Sequence, residues 1–148
     1  MATGRELVER ARDCYNSGDL DGLLDCYKPD AVSTLRVGTF TGQAARDEFE
    51  RGQLTAFPDR RIALTHVIIE QGHLVAAEYT WTGTQTGPSS MPDGTVVPPT
   101  GEHSTIPAVS VFELRDGRVA TERVYYDNLP AMLQAGVVKP EQQPIGSG

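Results

Sequence analysis

The stretch RVATERVYYDNLPAMLQAG holds the group best placed for proton chemistry. Val119, Thr121, Arg123, Tyr125 and Asp127 share one strand parity, so a carboxylate closes the face that Val119 opens. A carboxyl group surrounded by apolar side chains has a raised pKa, which suits proton transfer near neutral pH. Asp127 is therefore the expected catalytic acid/base, the plainer reading being a cap on the turn into NLPAML. Glu122 falls on the opposite parity and reads as a solvated strand residue unless a bulge intervenes. His66, within ALTHVIIE, shares its parity with Ile62, Leu64 and Ile68. On a hollow sheet that face lines a cavity, where an imidazole polarises a carbonyl or pairs with the acid. It is the second expected catalytic residue.

Five further side chains are expected to hold substrate. Tyr15, at the end of the first helix, offers a phenol, and His103, after PPTGE, approaches from a loop. Trp81 and Tyr125 supply flat walls for a ring system, and Phe49 adds apolar contact from a helix.

These residues need elements to carry them. TGRELVERARDCYNSG opens with a T-x-x-E capping box at Thr3 and Glu6 and reads as a helix that Gly18 stops. A second helix starts at Asp19, places Leu20, Leu23, Leu24 and Tyr27 on one face, and ends at KPD. AVSTLRVGTF reads as a short strand pair or extended crossing, and TGQAARDEFERGQLTAF as a third helix, broken at Pro58. From Ile62 the hydrophobic period changes from about 3.6 to 2. Two long strands flank EQGH, and a second hairpin turns at Asp116–Gly117. Between them PSSMPDGTVVPPTGEH reads as an irregular excursion lying over a pocket. Helices first and an antiparallel sheet afterwards describe an α+β domain. A single domain is expected over 1–138, with 139–148 as a disordered tail.

The composition narrows the partners. A net charge of −7, with no basic patch, argues against nucleic acid. No run of about 18 apolar residues exists, so no membrane partner is expected. MATGRELVERARD lacks the apolar core of a signal peptide, which makes a cytoplasmic location the expectation. Cys14 and Cys26 read as free thiols. The 3 histidines are scattered, with neither CxxC nor HExxH, so no metal is expected. No glycine-rich phosphate loop follows a strand, so no nucleotide cofactor is expected either.

The ordered set YNSGDLDGLLDCYKPDAV, TGQAARDEF, FPD, WTGTQTG, PPTGEH, FELRDGRV and ERVYYDNLPAMLQAG resembles the SnoaL-like polyketide cyclases. These belong to the superfamily that resembles nuclear transport factor two and ketosteroid isomerase. The resemblance implies a cone-shaped α+β barrel, with three N-terminal helices on a curved, mainly antiparallel sheet. It also implies a homodimer or homotetramer, cofactor-free chemistry and a small hydrophobic or polycyclic ligand. In the cyclases a late carboxylate is the acid/base of an intramolecular aldol closure, and Asp127 is the matching position. Epoxide-hydrolase relatives use an Arg flanked by two Asp on neighbouring strands, whereas LVAAEYT carries Glu78 and no nearby Arg. Steroid-isomerase relatives need an early carboxylate, and STLRVGTF has none. A cofactor-independent cyclase or isomerase is thus the leading reading. An epoxide hydrolase or hydratase and a non-catalytic binding module are the alternatives.

Overall fold

The computed structural model describes residues 3–91, 93–134 and 138; the expected tail, 139–148, lies outside the described residues. Helix α1 (Gly4–Ser17) begins at the expected capping box: Thr3 Oγ1 accepts from Glu6 N at 3.1 Å, and the Glu6 carboxylate accepts from Thr3 N at 3.3 Å. It ends where Gly18 turns left-handed at φ 75°, a conformation that a Cβ disfavours. Helix α2 (Leu20–Asp25) is capped by Asp19, whose Oδ1 accepts from Gly22 N.

Strand β1 (Tyr27–Leu35) starts directly after α2, so KPD is strand rather than a helix stop, and Tyr27 belongs to the sheet. Pro29 lacks an N–H, and it falls within the register irregularity between Tyr27 and Val32, where none is required. Strand β2 (Gly38–Thr41) completes the expected short pair. Helix α3 (Gln43–Ala56) precedes the long strands β3 (Arg61–Gln71) and β4 (Leu74–Thr84). The excursion is less irregular than its composition suggests. Strands β5 (Ser89–Ser90) and β6 (Val96–Val97) pair within it. Strands β7 (His103–Arg115) and β8 (Arg118–Tyr126) form the second hairpin, and the short α4 (Leu129–Gln134) follows. No helix among the described residues is long and apolar enough to cross a membrane.

The main sheet has 6 strands in the order β2-β1-β8-β7-β4-β3. Only the β1–β8 pairing is parallel. Two irregularities control what faces the helices. In β8, Thr121 pairs with Glu113 but Val119 pairs with Leu114, so Ala120 is an extra residue. In β3, Leu64 pairs with Tyr79 and Ile68 with Ala77, so Thr65, His66 and Val67 stand against Glu78 alone. The single extra residue in β8 reverses the parity beyond it, whereas the two extra residues in β3 leave Leu64 and Ile68 on the same inward face.

One end of the space between helices and sheet is solid core. Val75 and Val119 are at most 2% exposed there, beside Leu7 and Leu23, and each such burial contributes about 1.5–3 kcal/mol. Farther along, the layers separate around a cavity of about 370 Å³. Asn16 ties α1 to this sheet: its Oδ1 accepts from Ile62 N at 2.7 Å and its Nδ2 donates to Ile62 O at 2.9 Å. Replacing Asn16 by Ala leaves both backbone groups unpaired. Denaturant unfolding should show a loss of about 1–3 kcal/mol, whereas an unchanged midpoint would show that packing alone docks α1.

Candidate active site

The deep wall of the cavity carries a buried charge cluster. Arg46 projects from α3 and lies 3.0 Å from Glu122 Oε1 and 3.4 Å from Glu50 Oε1. Arg60, between α3 and β3, donates from Nη1 to Glu50 Oε2 at 2.6 Å. Tyr27 donates its phenol hydrogen to Glu122 Oε2 at 2.8 Å, and Ser33 donates to Oε1 at 3.3 Å. Arg46 also donates to Ser33 Oγ and lays its guanidinium over the Tyr27 ring, 3.6 Å from the centroid. The two cations balance the two carboxylates, the condition under which ions survive burial.

Burial sets the protonation behaviour here. It pushes the Glu50 carboxyl up, although Arg60 and Arg46 pull it back. Burial works against the charge on Arg46, but Tyr27, Glu122 and Glu50 outweigh it and raise its pKa. Desolvation takes the Tyr27 phenol well above its ordinary value.

The second wall is aromatic. Tyr79 and Trp81 point inward from β4, facing Ala108 and Ile106 of β7. Trp81 Nε1 donates to Tyr15 Oη at 2.8 Å, and its ring meets Phe57 edge-on with centroids 5.0 Å apart. Gly83 makes room for that indole, since a Cβ there would lie 2.7 Å from a Trp81 ring carbon. Arg60 stacks on the Tyr15 ring at 3.8 Å. Its Nε and Nη2 have no hydrogen-bond acceptor among the described residues, and the π face is the attraction that holds the cation there. Phe49 and Phe40 stack at 4.9 Å across the cavity wall. Toward the excursion, Gln85 Nε2 donates to Pro98 O and its Oε1 accepts from Thr100, pinning the loop over the cavity.

Tyr15, Trp81 and Phe49 thus stand where substrate contacts are expected, and four other residues do not. Asp127 is exposed on the outer side of the sheet, and its Oδ1 accepts from Leu129 N at 3.0 Å as a turn cap. Tyr125 is 59% exposed on that same outer face. The cause for both is the Ala120 bulge, which turns Glu122, Val124 and Tyr126 inward. His66 sits in the β3 bulge and is exposed, so its expected alignment with Ile62 and Leu64 fails. His103 is exposed as well, with Nδ1 2.9 Å from Thr84 Oγ1, because its neighbours Glu102 and Ser104 take the inward positions.

The residues that sequence reasoning missed are Glu122, Arg46, Glu50 and Arg60. A signal existed in α3, where Arg46, Phe49, Glu50 and Gln53 share a helical face, mixing charge into the inward stripe. Among the described residues, no group of three or more His, Cys, Asp or Glu side chains is placed to hold a metal ion.

A family model described as the SnoaL-like domain matches residues 8–122. A proposed SnoaL-like polyketide cyclase from Jannaschia sp. CCS1 superposes with a TM-score of 0.77 at 25% identity, over 90% of this chain and 92% of that one. AclR, a proposed hydroxylase from Streptomyces galilaeus, superposes at 0.75 with 24% identity, over 92% and 82%. A protein with a ketosteroid isomerase-like fold from Catenulispora acidiphila DSM 44928 gives 0.74 at 15%, over 90% and 95%. No curated protein matches the chain.

Burial pushes the Tyr15 phenol from 10.0 up to about 12, against the opposing pull of Arg60. A raised pKa stabilises the fold below the unfolded value and loses that contribution as pH rises through the folded one. Stability should therefore decline between pH 10 and about 12. In a spectrophotometric titration, Tyr15→Phe should remove part of that decline; an identical alkaline profile would count against a buried phenol.

Proposed function

The chain belongs to the SnoaL-like family, and from that premise we propose that it is an acid–base enzyme acting on a carbonyl-bearing apolar small molecule, by cyclisation or isomerisation of the polyketide-cyclase type. The observation that supports this most directly is a largely apolar cavity lined by a carboxylate that keeps a free acceptor position and a phenol that keeps a free hydrogen. Glu122 is that carboxylate. Its two oxygens offer about four lone-pair positions, and the described contacts from Arg46, Ser33 and Tyr27 occupy three. Tyr15 is the phenol: its oxygen accepts from Trp81, and its hydrogen has no acceptor among the described residues.

In this reading Glu122 takes the proton alpha to a substrate carbonyl. Tyr15 donates to the carbonyl oxygen and strengthens that bond as the oxygen gains enolate charge. The enolate carbon then attacks a second carbonyl of the same molecule, and Glu122 returns its proton to the resulting alkoxide. Arg46 and Tyr27 hold the carboxylate in place throughout. An isomerisation uses the same two residues and returns the proton to a different carbon.

A hydratase or epoxide-opening reaction has one observation in its favour. Arg46 lies between two carboxylates, Glu50 and Glu122, and the epoxide hydrolases that this fold resembles use an Arg between two acids. In that case Glu122 activates water. Oxygen-18 water separates the two, because only the hydrolytic reaction incorporates the label as a new hydroxyl.

The test is turnover on a panel of aryl β-diketones and poly-β-ketones. Glu122→Gln should lower kcat by at least about 10², and Tyr15→Phe by about 10² through loss of one oxyanion donor. Breaking the buried pair with Arg46 costs about 3–5 kcal/mol of stability, so the Glu122 variant is assayed well below its melting temperature, with circular dichroism as the control for folding. Full turnover in a folded Glu122→Gln protein would overturn the assignment of the base.

A further inference from the structure

Hydroxyl hydrogens can be counted around the cavity. Tyr27 and Ser33 spend theirs on Glu122. Tyr79 Oη and Ser110 Oγ lie 2.8 Å apart on the cavity wall, and no other side chain among the described residues bonds either oxygen. Two hydroxyls that share one hydrogen bond leave one hydrogen over, whichever of them donates. Ser110 is only 1% exposed, and burial raises the pKa of Tyr79, so bulk water is a poor acceptor for that hydrogen and the phenol stays protonated. A buried donor left unpaired is costly, and the open side of this pair is the cavity.

Tyr79 and Trp81 are successive inward residues of β4, about 7 Å apart along the strand. Tyr15 is bonded to Trp81. Tyr15 and the Tyr79–Ser110 pair therefore present free O–H donors at two neighbouring levels of the β4 wall, with the Tyr126 and Ser104 hydroxyls and the Glu122 carboxylate also on the cavity lining.

From this juxtaposition we infer that the Tyr79–Ser110 pair is a second oxygen-binding station, and that the ligand is a flat dicarbonyl compound with acceptor oxygens about a ring's width apart. This rests on the reading of Tyr15 as the first station. One oxygen meets Tyr15, the other meets the Tyr79–Ser110 pair, and the hydrocarbon frame lies against Trp81. A dicarbonyl also suits the proposed proton transfer, because charge formed at the carbon is shared with an oxygen that already receives a hydrogen bond.

The test uses three small probes, with Kd measured by calorimetry. The first is a para-naphthoquinone methylated at both carbons open to thiol addition; the second is alpha-tetralone, with one carbonyl; the third is dimethylnaphthalene, with none. The quinone should bind about 5-fold tighter than the monoketone, as expected for one additional neutral hydrogen bond. The double variant Tyr79→Phe/Ser110→Ala is the decisive protein, because either hydroxyl alone keeps one free hydrogen. It should bind the quinone only as tightly as the monoketone. Its unchanged affinity for dimethylnaphthalene serves as the check that the cavity is intact. A quinone that binds no tighter than the monoketone, or a double variant that keeps the preference, overturns the inference. Should Tyr15→Phe leave quinone affinity intact while the double variant loses it, the second station stands and the first is wrong.

Discussion

Arg46 is a cation with a side chain 5% exposed, and a charge so placed is tolerated only if carboxylates and oriented hydroxyls surround it. Its partners come from three directions. Glu50 stands one turn along α3, Ser33 and Tyr27 come from β1, and Glu122 comes from β8. Satisfying this one guanidinium sets the distance between helix and sheet on that side, and aligns β1 and β8 where they pair in parallel. The cluster then extends through Glu50 to Arg60, and through Arg60 to the ring of Tyr15. A chain of charge and π contacts thus joins the deep wall of the cavity to the aromatic wall. Removing any member costs its neighbours a buried partner.

The hollow follows from the same constraint. A mixed face of Arg46, Phe49, Glu50 and Gln53 cannot interdigitate with the sheet as an all-apolar helix would, so the layers stand apart there. At the opposite end, Leu7, Leu23, Val75 and Val119 pack without such groups, and the space closes. One fold therefore combines a dense anchor with a cavity. The groups that keep the cavity open are also its charged lining, so the stability of the fold and the polarity of the cavity are coupled.

Much of the architecture was legible from local pattern. The capping box at Thr3 and Glu6, the stop at Gly18, the turn at Asp116–Gly117 and the change of period after Ile62 act over a few residues, and each appears where expected. The placement of Tyr15, Trp81 and Phe49 in the cavity was legible for the same reason, since helix spacing and strand alternation decide it. KPD was misread because a proline after a helix suggests a stop. Here the parallel pairing of β1 with β8, a contact between distant segments, recruits those residues into a strand.

The arrangement of polar groups facing the cavity was decided elsewhere. Strand parity is a property of two residues, but one inserted residue reverses it for all that follow. Ala120 does this in β8, sending Asp127 and Tyr125 outward and bringing Glu122 in; in β3, Thr65–Val67 stand against Glu78 alone, which keeps the parity of Leu64 and Ile68 but leaves His66 facing solvent within the bulge. Nothing within ERVYYD announces the bulge, because its cause is the register against Glu113 and Leu114 on the neighbouring strand. Residue types and periodicities, which are local, thus determined the elements and the α+β class. The choice of carboxylate that faces the cavity is a matter of pairing between strands, and so belongs to the tertiary structure alone.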